Sequence, residues 1–292
     1  LAGCFYMQIN TTIEMPEGQE KNRLKTIRYL REALVVSEGI GDDTLSGWLH
    51  YCLSTAQGYG ERGWKSIEET LRCVERTRDK LLHGEGLSRL AFLTMWKALA
   101  TENPDEKRKL GEEAMRLYDR AIQHLSIMSF YGYRGGVIAP PWGYVEYGFY
   151  VAGWETDPAR RLAVLDKAVE LGTGALKAAE ESRVTSHSLF HFLSKVLIFR
   201  AYIEPDTDKK RDLLKRALHY REIHLSIHEP LWPFNYWDRG VDYGYVSMIR
   251  SILAEIEPDP GDRRKLLEEA VSAKDKELQL MYRVTPLYET QE

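Results

Sequence analysis

The chain has 292 residues with 40 basic and 44 acidic side chains, a net charge of −4, and a hydrophobic fraction of 43%. That is enough apolar material for a large core without disulfide or metal staples. Near-balanced charge with no basic stripe argues against a nucleic-acid partner. No run of eighteen apolar residues is present, so no membrane-spanning helix is expected. The cysteines, Cys4, Cys52 and Cys73, have no CxxC spacing and leave one over from any pairing. Reduced thiols and a cytoplasmic location are therefore expected. The first residue is Leu1 rather than Met, which reads as a segment of a longer chain.

One phrase recurs along the chain: a proline in an acidic turn, a basic cluster, then a Leu-rich stretch ending in a small residue. A weak copy runs from Met15-Pro16 to Ala33 and a degenerate one from Gly63-Trp64 to Thr70. Clear copies start at Asn103-Pro104, Asp157-Pro158, Glu204-Pro205-Asp206 and Glu257-Pro258-Asp259-Pro260, and end at Ala114, Ala168, Ala217 and Ala270. The end points are spaced by 37 to 54 residues, which identifies a helical repeat with long connections. Each Asn or Asp before a proline predicts a helix start, because its side chain accepts an orphan N–H while the proline has none to lose.

Beyond each start the apolar residues recur at three and four, as at Leu162, Leu165 and Val169, which predicts amphipathic second helices. Between the copies lie more apolar first helices, such as Leu90–Trp96 and Leu189–Phe199, of the kind that is sandwiched between neighbours. The expected fold is all-α: a right-handed α-solenoid of about six antiparallel helix pairs, forming a single domain over 1–292. The units fall roughly at 1–40, 44–82, 86–128, 143–181, 185–228 and 241–283.

Ala114-x3-Tyr118-x2-Ala121 resembles the second-helix signature of tetratricopeptide repeats (TPR), in which a small residue permits close helix contact and an aromatic fills the groove. The first-helix signature is not matched, and the recurrent proline precedes the second helix rather than following it. The chain thus resembles divergent TPR-like domains of the sensor arms of STAND-type signalling NTPases and transcription activators. That resemblance implies a non-catalytic signalling or regulatory domain, binding a small molecule, a protein or a peptide on its concave face, with other domains of the same chain as further partners. A P-loop is absent from the sequence.

Two segments, 129–149 and 229–246, break the repeat and resemble one another. Each follows an His-Leu-Ser-Ile phrase, at His124 and His224, and each is rich in aromatics, Gly and Pro. Read as long structured loops, they are the expected binding surface, since Trp and Tyr offer large apolar faces with a polar handle. The candidate contacts are Tyr131, Tyr133, Arg134, Trp142, Trp232, Phe234, Trp237, Asp238 and Arg239.

Two His-x3-His pairs, His187/His191 and His224/His228, have the spacing of a shared metal ligand but lack the intervening Glu of a metalloprotease motif and an evident third ligand. No metal, cofactor or catalytic residue is assigned on this basis. A scaffold holding a peptide or helix in its groove is the competing reading. A helical-toroid carbohydrate-active enzyme is a third, and it requires two facing carboxylates in an aromatic cleft. Glu146, Asp238 and Asp242 are the acids placed among the aromatics.

Overall fold

A computed structural model describes residues 16–129, 135–181, 187–231 and 235–288. Among these the chain is all helix, with no strand. A single helix, α1 (Pro16–Gly39), is followed by five pairs: α2 (Asp43–Gln57) with α3 (Glu61–Thr77), α4 (Lys80–Ala100) with α5 (Pro104–Ser129), and α6 (Gly135–Trp154) with α7 (Pro158–Glu181). The last two are α8 (His187–Tyr202) with α9 (Thr207–Leu231), and α10 (Tyr236–Ile256) with α11 (Pro260–Tyr288). Short turns between partners that pack closely along their length require an antiparallel arrangement. The expectation of an all-α array of adjacent helix pairs is met.

The chain divides into two compact units, Leu1–Gly143 and Tyr144–Glu292. In the first, Ile27 and Leu30 of α1 bury against Leu49, Leu53 and Ala56 of α2. In the second, Leu225 of α9, Val246 of α10 and Ala273 of α11 form one core cluster, with Tyr243 packed on it.

The turns explain where the second helices begin. Asn103 Oδ1 accepts from the Asp105 and Glu106 N–H groups, and Pro104 opens α5. Asp157 caps α7 through the Ala159 N–H, Asp206 caps α9 through Asp208 and Lys209, and Asp259 caps α11 through Gly261 and Asp262. A further device repeats in the second unit. Glu155, Glu204 and Glu257 each accept, through the side chain, the N–H of the capping Asp two residues on. In two of these turns an arginine six residues after the glutamate, Arg161 or Arg263, donates to the glutamate's carbonyl. The clamp joins the end of a first helix to the start of its partner.

The segments read as loops at 129–149 and 229–246 are largely helix. Residues 135–149 belong to α6, and 236–246 belong to α10. Pro140 and Pro141 lie inside α6, and Pro230 inside the last turn of α9. Pro140 and Pro141 each forgo one ladder bond without ending α6, so the Gly-Pro-aromatic composition that reads as loop is accommodated there within helical turns. Cys73 is free and buried, as the thiol expectation has it, and Cys4 lies outside the described residues. No helix among the described residues is long and apolar enough to cross a membrane.

Close helix approach depends on missing side chains at specific points. A Cβ on Gly84 of α4 would stand 2.4 Å from Cγ of Leu125, which is itself fully buried on α5. Gly174 of α7 faces open space. Gly84→Ala is therefore expected to lower stability by about 1–3 kcal/mol through overpacking. Gly174→Ala is expected to raise it by up to about 1 kcal/mol through helix propensity. Urea unfolding of the two variants beside the parent checks the opposite signs.

Candidate functional site

The second unit gathers its polar side chains where α8, α9 and α10 meet. Arg221 of α9 has no exposed surface. Its Nη1 lies 2.6 Å from Asp242 Oδ1 of α10 and 2.6 Å from His191 Nδ1 of α8, and its Nη2 donates to the His191 carbonyl at 3.1 Å. The other Asp242 oxygen accepts from His224 Nδ1 at 2.8 Å. Tyr245 of α10 lays its ring over the guanidinium, 4.4 Å from the centroid. Because Arg221 only donates, the His191 nitrogen facing it must accept, which fixes a neutral ring with the proton on Nε2.

Burial works against the charged form of Asp242. The hydrogen bond from His224 and the charge of Arg221 outweigh it, so the carboxyl is held well below its usual range. Burial beside Arg221 and Lys195 holds His191 down at about 4. The donor atoms of His191, His224 and Asp242 lie within 4.8 Å of one another, the spacing of a metal ligand set. The place of the cation is already held by Arg221, whose Nη1 touches two of the three. These groups fit a structural ion-pair cluster, and none is assigned to a metal.

His224 and His124, equivalent in the two His-Leu-Ser-Ile phrases, share a habit. The His124 ring packs on His83 of α4 at 4.3 Å, and the His224 ring on His187 and His191 of α8 at 6.1 and 5.2 Å. Ring packing onto the first helix of the pair is the structural use of this position.

Next to the cluster lies a cleft of about 450 Å³. Its walls come from one face of each first helix in the unit: Phe149 from α6, then Lys195, Ile198, Phe199 and Tyr202 from α8, then Tyr245, Met248, Ile252 and Glu255 from α10. The spacings of three and four are those of a single helical stripe. Lys210, at the start of α9, closes one end. Phe149 and Phe199 meet edge to face at 5.7 Å, and Met248 and Tyr202 are exposed. Among the described helices, α8 packs on α7 and α9, and α10 on α9 and α11, while the cleft runs along a further apolar stripe of each.

Two ionisable groups, Lys195 in the cleft wall and Glu146 one turn before Phe149, make no hydrogen bond or ion pair among the described residues. Lys195, one turn beyond His191, holds its ammonium 5.5 Å from the Phe192 ring centroid and 5.6 Å from that of Tyr245. Desolvation and the charge of Arg221 lower its pKa. Glu146 of α6 has a buried carboxylate oxygen without a hydrogen-bond partner, and burial pushes the group up to about 7, against the opposing pull of Lys195. Burial, with Glu146 and Tyr245 nearby, also raises Tyr150, one turn further along α6.

The residues singled out in the sequence are not brought together at this cleft. Tyr131, Tyr133, Arg134, Trp232 and Phe234 lie outside the described residues. Trp142 is half-buried in α6 beside Gly143, which abuts the Tyr118 ring. Trp237 and Asp238 are exposed in the first turn of α10, where Asn235 caps the helix and donates to Asp238. Arg239 donates to Glu229, which also accepts from Tyr243. Lys195, Phe199 and Met248, which line the cleft, are not among the sequence candidates; the signal for them is the one lysine in the mostly apolar stretch Leu189–Phe199.

No protein-family model and no curated protein matches this sequence. Among solved structures, a circular tandem repeat protein with a novel repeat topology and enhanced subunit contact surfaces is similar at 12% identity, over 99% of this chain and 71% of that one. Its TM-score of 0.36 leaves the description of the fold to rest on the helices themselves.

Two outcomes test the site. Asp242→Asn leaves the Arg221 charge buried without its counter-ion and is expected to cost about 3–5 kcal/mol; the double variant Arg221→Met/Asp242→Leu recovers much of that in the same denaturation assay. Glu146 has a folded pKa above its unfolded one, so ionising it penalises the fold as pH rises from about 4.5 through 7. Glu146→Gln is therefore expected to raise the melting temperature at pH 8 and to leave it unchanged at pH 4, where both side chains are neutral.

Proposed function

We propose that this chain is a non-catalytic, partner-binding helical repeat domain whose second unit grips an apolar segment of another polypeptide in the cleft lined by α6, α8 and α10. The observation that carries the reading is the shared stripe. Phe149 of α6 and stripes at three- and four-residue spacing on α8 and α10 bring aromatic and aliphatic side chains to one open cleft. Phe149, Phe199, Tyr245, Met248 and Ile252 supply apolar area, and burying one leucine-sized partner side chain there is worth about 1.5–3 kcal/mol. The same reading makes the chain a sensor or scaffold arm of a regulatory protein, as the TPR-like resemblance implies. A small-molecule ligand is the narrower alternative at the same cleft.

The enzyme reading has less support. A glycoside-cleaving pair needs a second free carboxylate facing Glu146. Asp242 is engaged by Arg221 and His224, and the charge acting on Glu146 is that of Lys195. Lys195 and Glu146 fit a binding surface better than an acid–base pair for hydrolysis.

Selection of a random peptide library displayed on phage against the immobilised protein tests the proposal, with winners measured by calorimetry on the parent and on Met248→Glu. Met248 is 38% exposed, so the variant is expected to fold. Winners rich in apolar residues should lose at least about tenfold in affinity when a carboxylate is set in the cleft. Winners that bind Met248→Glu as well as the parent would show that the cleft is not where the partner sits.

A further inference from the structure

The cleft is not uniform along its length, and the difference between its ends specifies the occupant further. Lys195 and Tyr245 mark one end; Ile198, Phe199, Met248 and Ile252 line the middle; Tyr202, Lys210 and Glu255 mark the other end. From Lys195 to Tyr202 along α8 is about 10 Å at about 1.5 Å per residue. One end therefore offers a lone ammonium, the middle is apolar, and the far end carries opposite charges that offset one another.

The ammonium is the unusual element. Every other charge near it has a partner or a reason to be neutral. Arg221 is held by Asp242, Asp238 accepts from Asn235 at the surface, and Glu146 is held toward its neutral form by burial. Among the described residues no carboxylate lies within ion-pair distance of Lys195, whose neighbours are two ring faces and the cleft. A half-buried cation without a counter-ion is costly unless the counter-ion arrives from outside. We propose that the partner segment anchors on Lys195 through an Asp or Glu side chain and lays apolar side chains along the next about 10 Å of the cleft, three or four residues of an extended strand. The chain as a whole carries −4 and disfavours acidic peptides, so a preference for an acidic residue reports the local charge at Lys195 rather than bulk attraction.

This inference rests on the cleft reading above, and its test separates the two. Peptides displayed as internal segments, with no free terminal carboxylate, are selected on the parent, on Lys195→Met, on Lys195→Glu and on Met248→Glu, after thermal melts establish that each variant is folded. Parent winners should carry Asp or Glu within four residues of an apolar pair, and converting that acid to its amide should cost about tenfold or more, the weak end of a charge-assisted hydrogen bond. Lys195→Met should bind the acid and amide forms alike, and Lys195→Glu should enrich Lys or Arg at the same place. Winners that need Met248 but show no acid preference, or keep it in Lys195→Met, overturn the anchor and leave the cleft. Winners indifferent to Met248 overturn both, and a terminal-carboxylate ligand would appear as binding only by uncapped peptides.

Discussion

Arg221 holds a positive charge at a point with no exposed surface, and the second unit is arranged around that charge. Removing a guanidinium from water is expensive, so the fold must return hydrogen bonds and a counter-ion in the right places. Asp242 supplies the counter-ion from α10, and His191 supplies a ring nitrogen and a backbone carbonyl from α8. Three helices are thus bound to one side chain with directions as well as distances fixed. Apolar packing alone permits sliding between helices, whereas bonds of 2.6 Å to two different elements do not. Tyr245, stacked on the same guanidinium, passes that fixed position to the cleft, where its ring also faces Lys195.

The helix starts were legible because their chemistry is local. Asn103, Asp157 and Asp259 cap within three residues of themselves, so the spacing of Asp and Pro in the chain is nearly the structure itself. The Glu155 and Glu257 clamps were equally local and went unread, since a glutamate and an arginine six apart in a turn resemble ordinary surface charge. The site was hidden for a different reason. Arg221 sits in a helix with five other Lys or Arg residues between 209 and 216, and only the packing of three separate segments tells the buried one from the solvated ones. His191 and His224 were noticed as members of two His-x3-His pairs, but the pair that forms takes one histidine from each. Gly and Pro mislead most: at Pro140 and Pro141 the helix continues where turn chemistry predicts a loop, so the composition points to loops rather than to helix faces.

The two units use their polar residues differently on the first-helix side, and that difference bears on where binding belongs. In the first unit, Tyr59, Phe92 and Trp96 cluster with centroids 4.3 to 6.3 Å apart, and Arg89 lies over Phe92. That arginine is committed: it donates to the Ser54 and Gly58 carbonyls, tying α4 to the end of α2, while Glu85 accepts from Tyr51. The aromatic cluster there closes around satisfied groups. In the second unit two aromatic rings flank Lys195, and Glu146 keeps a buried oxygen without a hydrogen-bond partner among the described residues. Stability alone would favour replacing both by apolar residues of similar volume, as buried ionic groups are generally a net cost. A site that keeps a cation without an ion-pair partner beside open apolar surface has stability to gain from an occupant and orientation to impose on it, which is why the binding role is proposed for α6, α8 and α10 and not for the better satisfied face of the first unit.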